Sequence, residues 1–277
     1  MSTVRRKTEA PLTVPADAAQ QTPASARRPH TRRFPVFMLV LFVFVGVSAI
    51  LFLMLFFLPN MYRTQAARMI APTIRAARVG DVVYLGVYEQ DNDASNGAEP
   101  IEWIVLDRQE DRSLLMSRYG LDCIPFNNAE AFVTWDQSSV LTWLNGTFYY
   151  GAFNGAERAI LLKSDQLTDT NPYFDTNAGE VTHERLFLAN IAETARYMPT
   201  EAERICTATP YATAQGVVTD EETGSCLWWL RSPGFDGTAA TRVLLDGRIN
   251  YCGYRAQSRR QAVRPFVWVT FDPTDAE

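Results

Sequence analysis

From Phe34 to Leu58 the chain runs 25 residues without a charge, FPVFMLVLFVFVGVSAILFLMLFFL. At about 1.5 Å of rise per residue such a helix is roughly 37 Å long, enough to cross a hydrocarbon layer of about 30 Å with some tilt. It is apolar all round, with Gly46 and Ser48 as small interruptions, whereas a helix packed in a soluble core keeps a polar face. It is also longer than the apolar region of a cleaved signal peptide, and it runs into LPNMYRTQ. The run therefore predicts one transmembrane helix over 34–58, retained as a signal anchor.

Basic residues set the expected orientation. Arg27, Arg28, Arg32 and Arg33 crowd the first flank, whereas Arg63, Arg68, Arg75 and Arg78 are spread along the second. The denser flank is expected in the cytoplasm, with the C-terminal domain outside the cell membrane. Of the 26 Lys and Arg and 31 Asp and Glu, seven basic and two acidic residues lie in 1–33 and four basic residues in 59–78. That leaves a net charge of −14 on residues 79–277, which argues against nucleic acid or an anionic lipid surface as a partner of the domain.

The chain thus divides into four segments. Residues 1–33 are rich in Ala, Pro, Thr, Ser and Gln and nearly free of large apolar side chains, so they are expected to be a disordered basic cytoplasmic tail. Residues 34–58 are the span, and 59–78 a juxtamembrane helical stalk with a basic face toward lipid headgroups. Residues 79–277 have a normal size for one globular domain.

Inside the domain, alternation predicts strands at 82–88, 101–107 and 113–118, the first two joined by the polar loop DNDASNGAEP. Ser138 or Ser139 can cap a helix carrying Leu141 and Leu144, and Asn154 with Glu157 has capping-box spacing. RLFLANIAETARYM reads as a strand at 185–188 running into a helix at 191–197. Asp246-Gly247 between apolar runs predicts a two-residue hairpin with positive φ at both turn positions. VRPFVWVTF is the last strand, with Pro265 near its start. Strands at both ends and helices between them make the class α+β.

The segments VGDVVYLGVYEQDNDASNGAEPIEWIVLD, SVLTWLNGTFYYGAF, ATPYATAQG, LWWLRSPG and AVRPFVWV, in this order, resemble a bacterial domain-of-unknown-function family, number six-two-seven-three. The resemblance spans nearly all of 79–272, and Trp228 to Gly234 is its most specific part. That family is in turn distantly similar to C-type-lectin-like and formylglycine-generating-enzyme-like folds. The resemblance thus implies mixed or antiparallel sheets with a few short helices, while leaving function open.

Each chemical motif also has a plain structural reading. Asp91, Asp93, Ser95 and Glu102 have spacing reminiscent of a calcium loop, but Asn96 stands where an EF-hand needs Gly, so a solvated hairpin loop is the favoured reading and no metal is expected. The four cysteines, Cys123, Cys206, Cys226 and Cys252, allow three pairings. Cys206 and Cys226, flanking a turn-rich stretch, are the favoured disulfide, worth on the order of 3 kcal/mol. His183 is the one histidine of the domain and lacks a nucleophile context, and no phosphate loop or other cofactor motif appears.

What remains is the cluster Trp228, Trp229, Arg231 and Arg264. It is the candidate ligand surface, since aromatic faces stack and guanidinium groups donate in fixed geometry. The favoured reading is the plainer one, in which the tryptophans fill the core and Arg231 and Arg264 pair with carboxylates such as Asp236, Asp246 or Glu102. In a strand, adjacent Trp228 and Trp229 are expected to face opposite sides. Two functions stay open: a membrane-anchored extracytoplasmic module binding a cell-wall glycan or surface protein, favoured because no nucleophile is recognisable, and an enzyme on a sulfatase-modifying-factor-like scaffold.

Overall fold

The computed structural model describes residues 36–57 and 69–275; the predicted tail (1–33) and much of the predicted stalk lie outside the described residues. The chain divides into two units, Met1–Ile50 and Leu51–Glu277. In the N-terminal region, helix α1 covers Val36–Phe52 and is followed by a π-helical stretch, Leu53–Phe57. Among the described residues no helix is long and apolar enough to cross a membrane. The α-helical part of the predicted span is 17 residues, which at about 1.5 Å per residue is roughly 25 Å.

The larger unit is α+β, with antiparallel sheets and short helices. Residues 69–76 form a helix, α2, whose Ala71 and Ile74 are buried in the same core as the strands that come after it. Arg108 donates to the Ala77 carbonyl, and the Arg75 guanidinium lies over the Phe271 ring. An apolar stripe on α2 is thus covered by the strands and helices that follow.

Strands β1 (Val82–Tyr88), β2 (Glu99–Arg108) and β3 (Arg112–Ser117) form a meander. Helices α3 (Ser139–Trp143), α4 (Tyr149–Ala152) and α5 (Gly155–Arg158) come next, with a π turn, Leu144–Phe148, between the first two. Then come β4 (Leu161–Leu162), β5 (Ser164–Gln166), β6 (Thr182–Glu184) and β7 (Leu186–Phe187). Helices α6 (Ile191–Tyr197), α7 (Glu201–Arg204) and α8 (Pro210–Ala214) precede β8 (Trp228–Pro233), β9 (Ala239–Val243), β10 (Ile249–Arg255) and β11 (Phe266–Thr270). The order in the main sheet is β1-β2-β3-β11-β4, with β7 also on β11, and β8, β9 and β10 make a second sheet.

Local signals hold where local chemistry suffices. Ser138 caps α3 by accepting from the Leu141 amide, and Asn154 with Glu157 closes a capping box on α5. Asn190 with Glu193 does the same for α6. The Asp246-Gly247 turn differs from expectation. The Leu244 amide donates to the Arg248 carbonyl, so the loop has three residues, and only Gly247 takes a positive φ, +81°. A type I turn completed by a left-handed glycine has the same composition cue as a two-residue hairpin.

Trp228 and Trp229, adjacent on a strand and so expected to face opposite sides, are both core. Both are fully buried, because β8 is covered on both faces. Trp228 Nε1 donates to the Arg204 carbonyl, and Trp229 Nε1 to that of Ile124. Between Trp229 and Pro233 the β8–β9 register shifts, and the Arg231 amide donates instead to the Ala189 carbonyl. Strand β8 thereby ties the second sheet to the loop before α6.

Candidate functional site

The four residues singled out from the sequence are all core. Arg231 is 1 % exposed and Arg264 2 %. Arg231 is held by Glu193 through a bidentate pair, Nη2 to Oε1 at 2.8 Å with Nη1 on Oε2, and by the carbonyls of Leu188 and Leu167. Glu193 also closes the α6 capping box, so one carboxylate satisfies a helix end and a buried guanidinium together. Arg264 lies over Trp228, 5.1 Å from its centroid, and donates to the Ser117 and Arg118 carbonyls. The candidate surface of Trp228, Trp229, Arg231 and Arg264 is corrected accordingly: these side chains staple elements together and present nothing to solvent.

The Asp91–Glu102 loop is a network of side-chain-to-backbone turns. Asp93 accepts from the Ser95 amide and hydroxyl, and those bonds hold its carboxyl below the usual range. Glu102 leaves the loop to pair with Arg118. The carboxylates that approach one another are Glu89, Asp91 and Glu99, and Glu99 is already engaged by the amides of Gln90 and Asp91. His183 pairs with Asp165, its cross-strand neighbour in β5–β6, with Nδ1 to Oδ1 at 2.8 Å and both side chains exposed.

The concave feature lies elsewhere. Three loops, around residues 132–137, 175–180 and 235–237, enclose a cleft of about 560 Å³. Its apolar walls are Phe132 and Phe235, 78 % and 54 % exposed, and its carboxylates are Asp136, Asp175, Glu180 and Asp236. Among the described residues none of these four carboxylates has an ion-pair partner. Thr134, Gln137 and Asn177 add neutral donors and acceptors.

Glycines let the loops converge. Gly179 has φ +87°, and a Cβ there would meet Asp136 Oδ1 at 2.2 Å. A Cβ on Gly237 would meet the Phe132 ring at 2.4 Å, while the Val133 amide donates to the Gly237 carbonyl. Beneath the cleft, Trp135 Nε1 donates to Glu184 Oε1 at 2.7 Å. Burial pushes the Glu184 carboxyl up, and this hydrogen bond partly opposes it.

A second hollow of similar volume, about 560 Å³, adjoins β10 and is lined by Tyr173, Phe174, Arg248, Asn250 and Tyr251 among others. The Tyr173 and Tyr251 rings meet edge to face at 4.8 Å. Asn171 pins this region by donating to the carbonyls of Pro233 and Tyr251. The Phe235 amide donates to the Cys252 carbonyl, so β10 and the chain just after β8 support both hollows.

None of these cleft residues stood out in the sequence. The signal they carried was a large aromatic stranded in polar loops, Phe132 in NNAEAFVTWDQ and Phe235 in the SPGFDG that ends the tryptophan segment.

No curated protein and no solved structure matches the chain. The family model described as Domain of unknown function (DUF6273) matches residues 110–271, more than half of the chain. The match begins after β2, so the β1–β2 hairpin lies outside it, whereas the sequence resemblance starts at residue 79. From β3 through β11, including both hollows and the Trp228–Gly234 segment, the chain belongs to the DUF6273 family of domains of unknown function.

Proposed function

We propose that this protein is a membrane-anchored extracytoplasmic binding module whose ligand face is the cleft between Phe132 and Phe235, and that its ligand is a cell-surface glycan. The observation that carries this reading is the pair of exposed phenylalanines walling a cleft with four carboxylates that have no ion-pair partner among the described residues. Burying a phenylalanine side chain is worth about 1.5–3 kcal/mol, so both rings favour an occupant. A sugar offers an apolar C–H face to stack and hydroxyl donors for Asp136, Asp175, Glu180 and Asp236.

The anchor reading rests on the apolar run itself. Its helical backbone continues from α1 into the π turn, and side chains such as Val40, Phe42, Phe44 and Leu51 are exposed on every side. In water that surface would be a liability, whereas a bilayer covers it. The denser basic flank supports an inside N-terminus. A lectin-like relationship fits a domain whose last strand, β11, closes the sheet that β1–β3 open.

The test is a glycan and peptidoglycan-fragment binding screen on the full chain in detergent, repeated with Phe132→Ala and Phe235→Ala. Each variant should bind about tenfold more weakly or worse, corresponding to about 1.4 kcal/mol, with thermal unfolding unchanged. Undiminished binding in the folded variants would sink the assignment of the cleft.

A further inference from the structure

Cys206 and Cys226 stand opposite one another. Thr207 and Ser225 form an antiparallel bridge, which places residue 206 across from residue 226, and the Cys226 amide donates to the Cys206 carbonyl at 2.7 Å. Directly opposed residues in a hydrogen-bonded antiparallel pair have Cα atoms about 5.5 Å apart and side chains on one face. A disulfide needs a Cα separation of about 4.4–6.8 Å.

All four cysteines are free thiols in the structure. Both Cys206 and Cys226 are buried, and the Cys206 thiol donates to the Thr207 carbonyl at 3.6 Å. Arg264 adds a cation beside them, and its buried Nη1 has no hydrogen-bond partner among the described residues. Burial alone would raise the Cys206 thiol. The hydrogen bond from Cys226, the Arg264 guanidinium and the Gly120 backbone outweigh it and bring it down to about 7.

We propose that Cys206 and Cys226 form an intramolecular disulfide in the mature protein. One of the two thiolates attacks one sulfur of an oxidised dithiol carrier, giving a mixed disulfide and one free carrier thiolate. The sulfur of the other cysteine, losing its proton, then attacks the first cysteine's sulfur, and the carrier leaves through its second sulfur. The two cysteines are oxidised, the carrier disulfide takes the two electrons, and both protons end on carrier thiols. This inference rests on the extracytoplasmic placement proposed above, because such carriers remain oxidised there and are kept reduced in the cytosol.

Cys252, exposed on β10, and Cys123, buried with its thiol pushed up to about 11 by burial and by the neighbouring Asp122, serve as internal references. Intact cells producing the full chain are treated with a membrane-impermeant maleimide. The protein is then denatured without reductant, alkylated with a second maleimide, digested and weighed. The expected result is impermeant label on Cys252, the second label on Cys123, and a crosslinked Cys206–Cys226 peptide pair lighter by two hydrogens, lost in Cys226→Ser. Surface label on Cys252 with both Cys206 and Cys226 alkylated would overturn the disulfide while leaving the placement intact. Absence of surface label would overturn the placement instead. In that case the purified full chain, treated with oxidised glutathione, decides the disulfide: crosslinking supports it and two alkylated thiols refute it.

Discussion

Glu193→Gln tests how far the core depends on the ion pair at Arg231. The Arg231 side chain is 1 % exposed and that of Glu193 27 %, so the substitution leaves a full guanidinium charge buried against a neutral amide. Removing one partner of a buried pair costs about 3–5 kcal/mol. Three features lower that figure here. The guanidinium keeps the Leu188 and Leu167 carbonyls, the glutamine oxygen can still accept one bond, and water reaches the Glu193 side.

The expected cost is therefore about 2–3 kcal/mol. For a unit of this size, about 2–4 °C per kcal/mol gives a fall in Tm of roughly 4–12 °C. Thermal and denaturant unfolding of the full chain in detergent, followed by near-ultraviolet circular dichroism, reads it through the surrounding aromatics. The double variant Arg231→Met with Glu193→Gln removes the stranded charge as well. It should be clearly more stable than the sum of the two single variants implies. A shift below about 2 °C for Glu193→Gln, or strict additivity in the double variant, would refute the claim that Arg231 is held in the core by this carboxylate.

Other consequences are equally direct. Trp229→Ala removes a fully buried indole and its bond to the Ile124 carbonyl, and it should cost about 3–5 kcal/mol in denaturant unfolding, the opposite of what a surface binding residue would do. Gly234→Ala sets a Cβ 2.6 Å from the Cys252 carbonyl and 2.8 Å from Ala239 Cβ, and about 1–3 kcal/mol of lost stability is expected from the same measurement. Burial raises the Asp122 carboxyl above its ordinary value, against the opposing hydrogen bonds from Tyr88 and the Cys123 amide. The folded chain thus binds this proton more tightly than the unfolded chain, giving stability that is present below about pH 4 and lost as pH rises through the folded value. Asp122→Asn should flatten the decline of unfolding free energy above that pH, with Glu184 leaving a residual slope of the same sign; an unchanged profile would count against the assignment.

Much of the secondary structure was legible because its causes are local. β1 spans the residues that alternation indicated, and α6 begins at Asn190 because Asn190 and Glu193 cap each other. The hairpin before β10 was legible as a hairpin but not in its loop length, since one glycine in the left-handed region serves turns of two and of three residues alike. The candidate site was largely illegible. Phe132 and Phe235 lie about a hundred residues apart in sequence, and their loops pack closely where Gly179 and Gly237 leave room for the Asp136 carboxylate and the Phe132 ring.

By itself, then, the sequence determined the uncharged run from Phe34 to Leu58, the acidic balance of residues 79–277, the α+β class and the family membership. Those are properties of composition and of neighbours a few residues apart. Tertiary structure alone decided between the core and surface readings of Trp228, Trp229, Arg231 and Arg264, placed Cys206 across from Cys226 among the three pairings left open, and opened a cleft between Phe132 and Phe235. Burial, partner and cavity each depend on which distant segments pack together, and a tryptophan or an arginine carries no local mark of whether another layer will cover it.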